Sequence, residues 1–170
     1  MAELLEEQVG KLLRQKQMKL TLAESCTGGL VGHRITNIPG SSDYYMGSIT
    51  AYAYEAKERL LGVSHETLIQ FGAVSRETAL EMAHGVRLAL STDFPLDHSV
   101  GVSITGIAGP GGGMPNKPVG LVWFGLSEPQ GDHAWHFFWQ GDRLQVKMQS
   151  ADKALELLLA YLQGNLPADL

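Results

Sequence analysis

The sequence has a single cysteine, no long apolar run and no excess of positive charge. Because Cys26 stands alone, an internal disulfide bond is excluded and an oxidising compartment gains no support. No run approaches the ~18 apolar residues of a membrane span, and the acidic stretch 1–10 is unlike a signal peptide. The formal net charge of −5 argues against non-specific nucleic-acid binding, which needs a basic face. We therefore expect a cytoplasmic protein that contacts neither a membrane nor nucleic acid directly.

The sequence also lacks the residue spacings that are typical of metal sites. It contains six histidines and one cysteine, but no HExxH or CxxC arrangement. His133 and His136 are an odd number of positions apart, so they would lie on opposite faces of a strand. We therefore expect no structural or catalytic metal ion.

The composition that remains is that of a globular protein, with 170 residues of which 44% are hydrophobic and 18% charged. This length, without repeats or a linker-like stretch, predicts one domain over residues 1–170. Apolar residues at helical spacing over 3–17, after Ser75 and after Asp142 predict helices, and 55–61 is predicted as a short helix that Gly62 ends. The alternating stretch 19–23 and the apolar run 119–126 predict strands. Helices that alternate with strands, some apolar on both faces, predict a three-layer α/β/α sandwich with a mixed, mostly parallel central sheet.

Glycine is the one mild excess, with 20 residues in 170 against roughly 7% in average proteins. Part of it lies at 24–29, where a predicted strand is followed by a tight corner and then by helical spacing. N–H groups and the helix dipole at such a corner favour an anion, either a phosphate or the oxyanion of acyl transfer. Gly28 and Gly29 would let a substrate approach the backbone closely.

Three side chains at this corner are candidates for its chemistry. Ser25 is a candidate nucleophile, although Ser25 or Thr27 could instead simply cap the helix. Cys26 is a rival nucleophile, although a lone cysteine is more often a small buried hydrophobic residue.

A second segment, 47–57, runs from a predicted strand into a predicted helix. Tyr52 and Lys57 fall near this junction, so both could face the same end of the sheet. A lysine there can deprotonate a serine if burial lowers its pKa toward roughly 7–8. The alternatives are a solvated lysine on the helix surface and a tyrosine that packs in a half-buried strand.

The third segment, 105–113, holds five glycines directly after a buried strand. A loop of this kind can cradle a ligand, because exposed N–H groups form anion-binding nests. It is not a P-loop, since GKS and GKT are absent, and prolines interrupt any dinucleotide fingerprint. A mobile turn is the alternative interpretation.

Taken together, these segments resemble the C-terminal domain of the CinA competence/damage-inducible family, which includes stand-alone PncC nicotinamide-nucleotide amidases. The resemblance covers about residues 5 to 163. Its segments occur in the family's order: AESCTGG at 23–29, the stretch 47–57 with LLGV at 60–63, SITGIAGPGG at 103–112, KPVG at 117–120 and GDR at 141–143.

The resemblance implies a metal-independent and cofactor-independent serine amidase of α/β/α architecture. Its substrate would be nicotinamide mononucleotide, which is hydrolysed to nicotinate mononucleotide and ammonia in the recycling of pyridine nucleotides. Carried over by position, Ser25 is the nucleophile, with Tyr52 and Lys57 as its activating partners. The implied substrate-binding residues are Thr27, Gly28, Gly29, Gly109, Gly111, Gly112 and Arg143, with Lys117 or Arg143 as cations for the phosphate.

Several positions depart from the family pattern. Tyr54 stands where a smaller polar residue is expected, Ala51 and Ala53 replace the usual Thr and Ser around Tyr52, and Lys147 stands where Arg is common. A bulky Tyr54 could alter the pocket and weaken or redirect the amidase activity. The competing hypotheses are a non-catalytic nucleotide-binding module and a competence- or DNA-damage-related regulatory protein. The sequence leaves a homo-oligomer open.

Overall fold

The structure is a computed structural model that describes residues 3–91 and 93–169. Five strands form a sheet in the order β2-β1-β3-β4-β5. In chain order their bounds are β1 Lys19–Glu24, β2 Tyr45–Thr50, β3 Ser99–Gly106, β4 Leu121–Glu128 and β5 Gly131–Phe138. Six α-helices accompany them in these ranges: α1 Leu5–Lys16, α2 Leu30–Thr36, α3 Tyr54–Leu61, α4 His65–Phe71, α5 Arg76–Leu90 and α6 Arg143–Gln163.

The sheet is mixed, but four of its five strands run in the same direction. β1 pairs in parallel with β2 on one side and with β3 on the other. β4 runs antiparallel to both β3 and β5. The carboxyl ends of β1, β2 and β3 therefore meet at one edge of the sheet, where ligands collect in open α/β folds.

Helices cover both faces of the sheet. α1, α2 and α6 pack on one face, over a core that includes Leu20 and Leu22 of β1. α3, α4 and α5 pack on the other face, over a smaller core that includes Ala23. The predicted three-layer α/β/α sandwich is thereby confirmed.

Capping residues set the helix ends where the sequence predicts them. The Ser75 side chain accepts a hydrogen bond from the Thr78 N–H at the start of α5. Asp142 begins α6 through a reciprocal capping box with Gln145. Gly62 ends α3 in the left-handed conformation, with φ 67°. Within the described ranges, no helix combines the length and the apolar character that crossing a membrane requires.

Candidate active site

The alternation of side chains along β1 determines on which face of the sheet the residues at its carboxyl end lie. Leu22 faces the α2 side of the sheet and Ala23 the α3 side, and Glu24 and Ser25 continue this alternation. Lys57 lies one turn into α3, and its Nζ is 2.9 Å from Ser25 Oγ. The structure thus brings together two residues that are 32 positions apart in the chain.

Lys57 is buried, and the hydrogen-bond acceptors around its Nζ are uncharged. Its side chain is only 1% exposed. Besides Ser25, its Nζ donates to the carbonyl oxygens of Ala51 at 2.7 Å and Tyr52 at 3.2 Å. Burial lowers the pKa of Lys57 from 10.5 to about 8, against a smaller opposing effect of the neighbouring Cys26 thiol. The neutral amine can keep two N–H bonds to the carbonyl groups and turn its lone pair toward the Ser25 hydroxyl.

Glu24 caps helix α2, whereas the capping alternative that the sequence offers names Ser25 or Thr27. Its carboxylate is fully buried and accepts hydrogen bonds from the N–H groups of Gly29 at 3.1 Å, Val31 at 3.2 Å and Gly32 at 2.9 Å. The capping alternative is therefore wrong in its choice of residue. An acidic residue at the end of a buried strand, just before a helix start, is the signal that could have indicated this role.

The N–H groups of the glycines at this corner are already occupied. The Gly28 N–H donates to the Ser25 carbonyl at 3.0 Å, and the Gly29 N–H donates to Glu24. Within the described residues, the N–H groups of Cys26 and Thr27 donate to no main-chain carbonyl. An oxyanion beside Ser25 could thus accept hydrogen bonds from Cys26 and Thr27, the two positions directly after the nucleophile.

Cys26 lacks the properties of a reactive nucleophile. Its side chain is buried, and burial raises the pKa of its thiol to about 12. The thiolate, which is the nucleophilic form of cysteine, is therefore strongly disfavoured near neutral pH. The geometry favours Ser25 over its neighbour.

Tyr52 meets Lys57 through its main-chain carbonyl and not through its phenol. The Tyr52 side chain is 58% exposed, and its hydroxyl accepts a 2.7 Å hydrogen bond from Arg143 Nη2. Arg143 also donates from Nη1 to the Gly109 carbonyl at 2.7 Å. The start of α6 is thereby tied to Tyr52 and to the glycine-rich loop. A role for the Tyr52 hydroxyl in activating Ser25 stays a prediction.

Two cations of α6 approach the corner. Arg143 begins the helix and Lys147 follows one turn later, on the same side. A Cβ placed on Gly28 would lie 3.8 Å from Lys147 Nζ. Because the protein as a whole is acidic, these two charges mark this corner as a local site for an anion.

The glycine-rich loop folds back on itself. Met114 and Lys117 exchange two main-chain hydrogen bonds, of 2.8 and 3.0 Å. Gly109 has φ 84°, and a Cβ there would lie 2.5 Å from a methyl carbon of Val119. A Cβ on Gly111, in contrast, meets nothing within 4 Å. Gly109 therefore serves the loop's own conformation, whereas Gly111 faces open space.

Lys117 and Tyr54 both contact the connection between α4 and α5. Lys117 Nζ donates to the Phe71 carbonyl, and the Tyr54 hydroxyl accepts from the Ala73 N–H at 3.3 Å. Lys117 thus lies beside this connection, whereas Arg143 and Lys147 lie at the Ser25 corner. Among the residues that the structure describes, no group of three or more His, Cys, Asp or Glu side chains could hold a metal ion.

Comparisons with known proteins point to one family. The model of the CinA C-terminal domain family matches residues 2–162. A CinA-like protein of Salinibacter ruber is 49% identical over 152 residues, which cover 89% of this chain and 35% of that protein. The chain spans between 35% and 38% of the length of the first curated relatives that it matches.

Solved structures agree with this similarity in fold. A CinA superfamily protein from Klebsiella pneumoniae has a TM-score of 0.87 at 29% identity, over 94% of this chain and 96% of that one. A competence/damage inducible protein from Agrobacterium tumefaciens has a TM-score of 0.80 at 37% identity, over 96% and 99% of the two chains.

Proposed function

The chain belongs to the family of CinA C-terminal domains, and from this premise we propose that it is a serine amidase. Its proposed reaction converts nicotinamide mononucleotide to nicotinate mononucleotide and ammonia. The observation that carries the proposal is the 2.9 Å contact between Lys57 Nζ and Ser25 Oγ in a buried setting. This pairing joins a nucleophile to a base whose pKa of about 8 lies near neutral pH.

The first half of the reaction forms an ester on Ser25. Neutral Lys57 takes the proton of the Ser25 hydroxyl as Oγ attacks the carboxamide carbon. The oxyanion that forms receives hydrogen bonds from the N–H groups of Cys26 and Thr27, each worth about 2.7–4 kcal/mol in comparable sites. Protonated Lys57 then gives its proton to the departing nitrogen, and ammonia leaves.

The second half releases the acid. A water molecule attacks the ester while Lys57 takes one of its protons. The same N–H donors stabilise the second oxyanion. When the ester bond breaks, Lys57 returns the proton to Ser25 Oγ, and the carboxylic acid departs and loses its remaining proton to the solvent. Lys57 therefore acts as base and acid in turn, which requires the pKa close to neutrality that burial gives it.

The substrate's phosphate fits the cations of α6. Arg143 can offer a planar fork of donors, and Lys147 a compact charge beside Gly28. The open face at Gly111 leaves room for the nucleotide next to the glycine-rich loop.

The decisive experiment incubates the purified protein with nicotinamide mononucleotide and measures ammonia and nicotinate mononucleotide together. We expect the two products in equal amounts, unchanged rates after exhaustive chelation of metal ions, and no products with Ser25→Ala. Tight binding of the nucleotide without ammonia release would overturn the amidase and favour a non-catalytic nucleotide-binding module. Activity that vanished with the chelator and returned with zinc or manganese would overturn the serine mechanism.

A further inference from the structure

A second concave site lies on the α5 face of the sheet. It has a volume of about 400 Å³, and its lining includes Phe71, Lys117, Trp123, His136 and Phe138. We call it the aromatic cavity. Ser25, Tyr52 and Lys57 are not among its lining residues. Its volume lies within the range of roughly 300–1,000 Å³ that is typical of small-molecule sites.

One wall of the aromatic cavity is a continuous aromatic surface. Trp123 of β4 and His136 of β5 are directly paired across the two strands, with ring centroids 4.6 Å apart. Phe138 follows His136 on the same face, with its ring 5.4 Å away in an edge contact. Phe138 is 55% exposed and Phe71 is 37% exposed. The rings of Phe138 and Phe71 are therefore accessible from the cavity and are not part of the buried core.

The lining of the cavity also carries charged side chains of both signs, with Lys117 and Arg76 on one hand and Glu77 on the other. Lys117 Nζ lies at its rim, where it donates to the Phe71 carbonyl. An ammonium group has three protons, so Lys117 can bind an anion without losing that bond.

The aromatic cavity is bordered by the connection between α4 and α5. The Ala73 N–H donates to the Tyr54 hydroxyl of α3 at 3.3 Å, and the Ala73 carbonyl accepts a 2.7 Å hydrogen bond from Thr105 Oγ1 of β3. A Cβ placed on Gly72 would lie 3.2 Å from Lys117 Nζ and 3.9 Å from the Tyr54 hydroxyl, so these two side chains are neighbours. Ser25 and Lys57, in contrast, do not line the cavity.

We propose that the aromatic cavity binds a planar aromatic molecule that carries one anionic group, with its ring against Trp123 and His136 and its anion at Lys117. Aromatic carboxylates and nucleoside monophosphates share this chemistry. No bond is made or broken in the cavity, and the proposal does not depend on the amidase reaction at Ser25.

The three tryptophans make the test specific. Trp135 belongs to the core on the opposite face of the sheet and Trp139 packs against that core, so only the indole of Trp123 borders the cavity. The experiment records the indole N–H signals of ¹⁵N-labelled Ser25→Ala protein by NMR during titration with adenosine monophosphate. We expect the Trp123 signal to shift saturably while the signals of Trp135 and Trp139 stay in place. Trp123→Phe identifies the signal.

Further probes separate the contributions of the ring and the charge. Benzoate should shift the Trp123 signal, adenosine should do so with at least ten-fold weaker affinity, and ribose 5-phosphate should have no effect. Saturation by benzoate at lower concentration than by adenosine monophosphate identifies aromatic acids as the source of the ligand, and the reverse order identifies nucleotides. Lys117→Gln should weaken the binding of adenosine monophosphate about ten-fold, and Lys11→Gln on the far side of the molecule should not.

Two results would overturn the proposal. One is the absence of a Trp123 shift with both adenosine monophosphate and benzoate at about 10 mM. The other is a set of shifts confined to the amides of the Ser25 corner, which would place the anion at that site instead. Because the protein carries Ser25→Ala, neither result depends on whether the chain is an amidase.

Discussion

The burial of Lys57 makes the stability of the protein depend on pH in a direction that can be derived. Since the pKa of Lys57 is about 8 in the folded state and 10.5 ordinarily, the unfolded chain binds more protons between these values. The free energy of unfolding contributed by this group therefore rises as pH rises from 8 to 10.5, by about 3 kcal/mol. Below pH 8 both states are protonated, and the penalty of burying the charge is at its full size.

The measurement compares the wild type with Lys57→Met by urea unfolding at about pH 7 and about pH 10. The wild type should gain stability relative to the variant over this range, because methionine has no proton to lose. The same comparison is made in a Cys26→Ser background, because Cys26 and Lys57 are electrostatically coupled. The control, Lys11→Met on the exposed surface of α1, should leave the pH dependence as in the wild type. A constant difference between wild type and Lys57→Met would contradict the depressed pKa.

Ser25 and Lys57 should behave as one catalytic unit. Ser25→Ala, Lys57→Ala and the double variant are expected to retain similar residual rates, each several powers of ten below wild type, because each removes the same step. Lys57→Arg should fail like Lys57→Ala, since a guanidinium that stays protonated cannot serve as a base. In the wild type, kcat/KM should rise with pH through the pKa of about 8 as Lys57 loses its proton.

Cys26→Ser is the matched control, because it changes the adjacent residue and leaves the pair intact. Its rate should stay near wild type. Full activity in Ser25→Ala, with loss of activity in Cys26→Ser, would show that Cys26 and not Ser25 is the nucleophile. Rate losses that multiply in the double variant would show that Ser25 and Lys57 act in separate steps.

At the scale of single residues, the sequence predicts Ser25 and Lys57 but not Glu24, which positions Ser25. Ser25 and Lys57 were singled out because one lies at a strand-to-helix corner and the other near a second such junction. Glu24 was missed because its role depends on which N–H groups of α2 turn toward it, and that is fixed only when the corner folds. The place of the Tyr52 hydroxyl beside Arg143 depends on the docking of α6, which is distant in sequence.

At the scale of elements, the carboxylate of Glu24 fixes the corner that carries Ser25. Glu24→Gln replaces one acceptor oxygen by an NH₂ group that faces N–H donors of α2. We expect kcat to fall about ten-fold with a smaller change in KM, and stability to fall by about 1–3 kcal/mol. The residue acts by positioning Ser25, so the pH profile set by Lys57 should keep its midpoint.

Glu66→Gln offers a matched control, because Glu66 lies exposed in the first turn of α4. It should change neither kcat nor stability by much. Steady-state kinetics and urea unfolding of both variants separate the two roles. A loss of stability in Glu24→Gln without any loss of kcat would show that Glu24 caps α2 but does not position Ser25.

The glycine-rich loop is expected to contribute to substrate binding and not to the stability of the core. Gly111→Val adds a side chain where a Cβ meets nothing within 4 Å, so the melting temperature should change little. The added bulk narrows the space beside the substrate, and KM should rise about ten-fold or more. Gly131→Val is the control, since Gly131 is equally open but begins β5, outside the loop. A large fall in melting temperature with unchanged KM would show that Gly111 is structural.

One short helix is not predicted by the sequence pattern. The seven-residue helix α4 was not predicted, because a helix of two turns shows little periodicity. Its Ser64 cap, which accepts from the Thr67 N–H at 3.0 Å, was the available signal. The longer helices α1, α5 and α6 were predicted, since each combines an apolar stripe with a recognisable end.

At the scale of the whole molecule, the architecture followed from the order of the elements. Strands that alternate with helices, some strands apolar on both faces, leave few arrangements other than a sheet covered on two sides. The pairing order was not predictable in the same way, because β1 takes partners from segments 45–50 and 99–106. That choice depends on packing between distant parts of the chain.

The distribution of charge over the whole molecule leads to the last prediction. A net charge of −5 repels an anionic substrate at long range, but Arg143 and Lys147 attract its phosphate at short range. At an ionic strength of about 0.15 M, screening acts beyond roughly 8 Å, so the local attraction should dominate binding. Added salt is therefore expected to raise KM for nicotinamide mononucleotide while kcat stays constant.

Two variants of α6 test this attraction. Lys147→Gln should raise KM and flatten the salt dependence. Lys153→Gln should do neither, because Lys153 lies farther along α6 and is paired with Glu156. Nicotinamide riboside, which lacks the phosphate, should show little response to salt with any variant. A KM for the mononucleotide that fell as salt was added would mean that the long-range repulsion prevails and that the phosphate does not lie between these two cations.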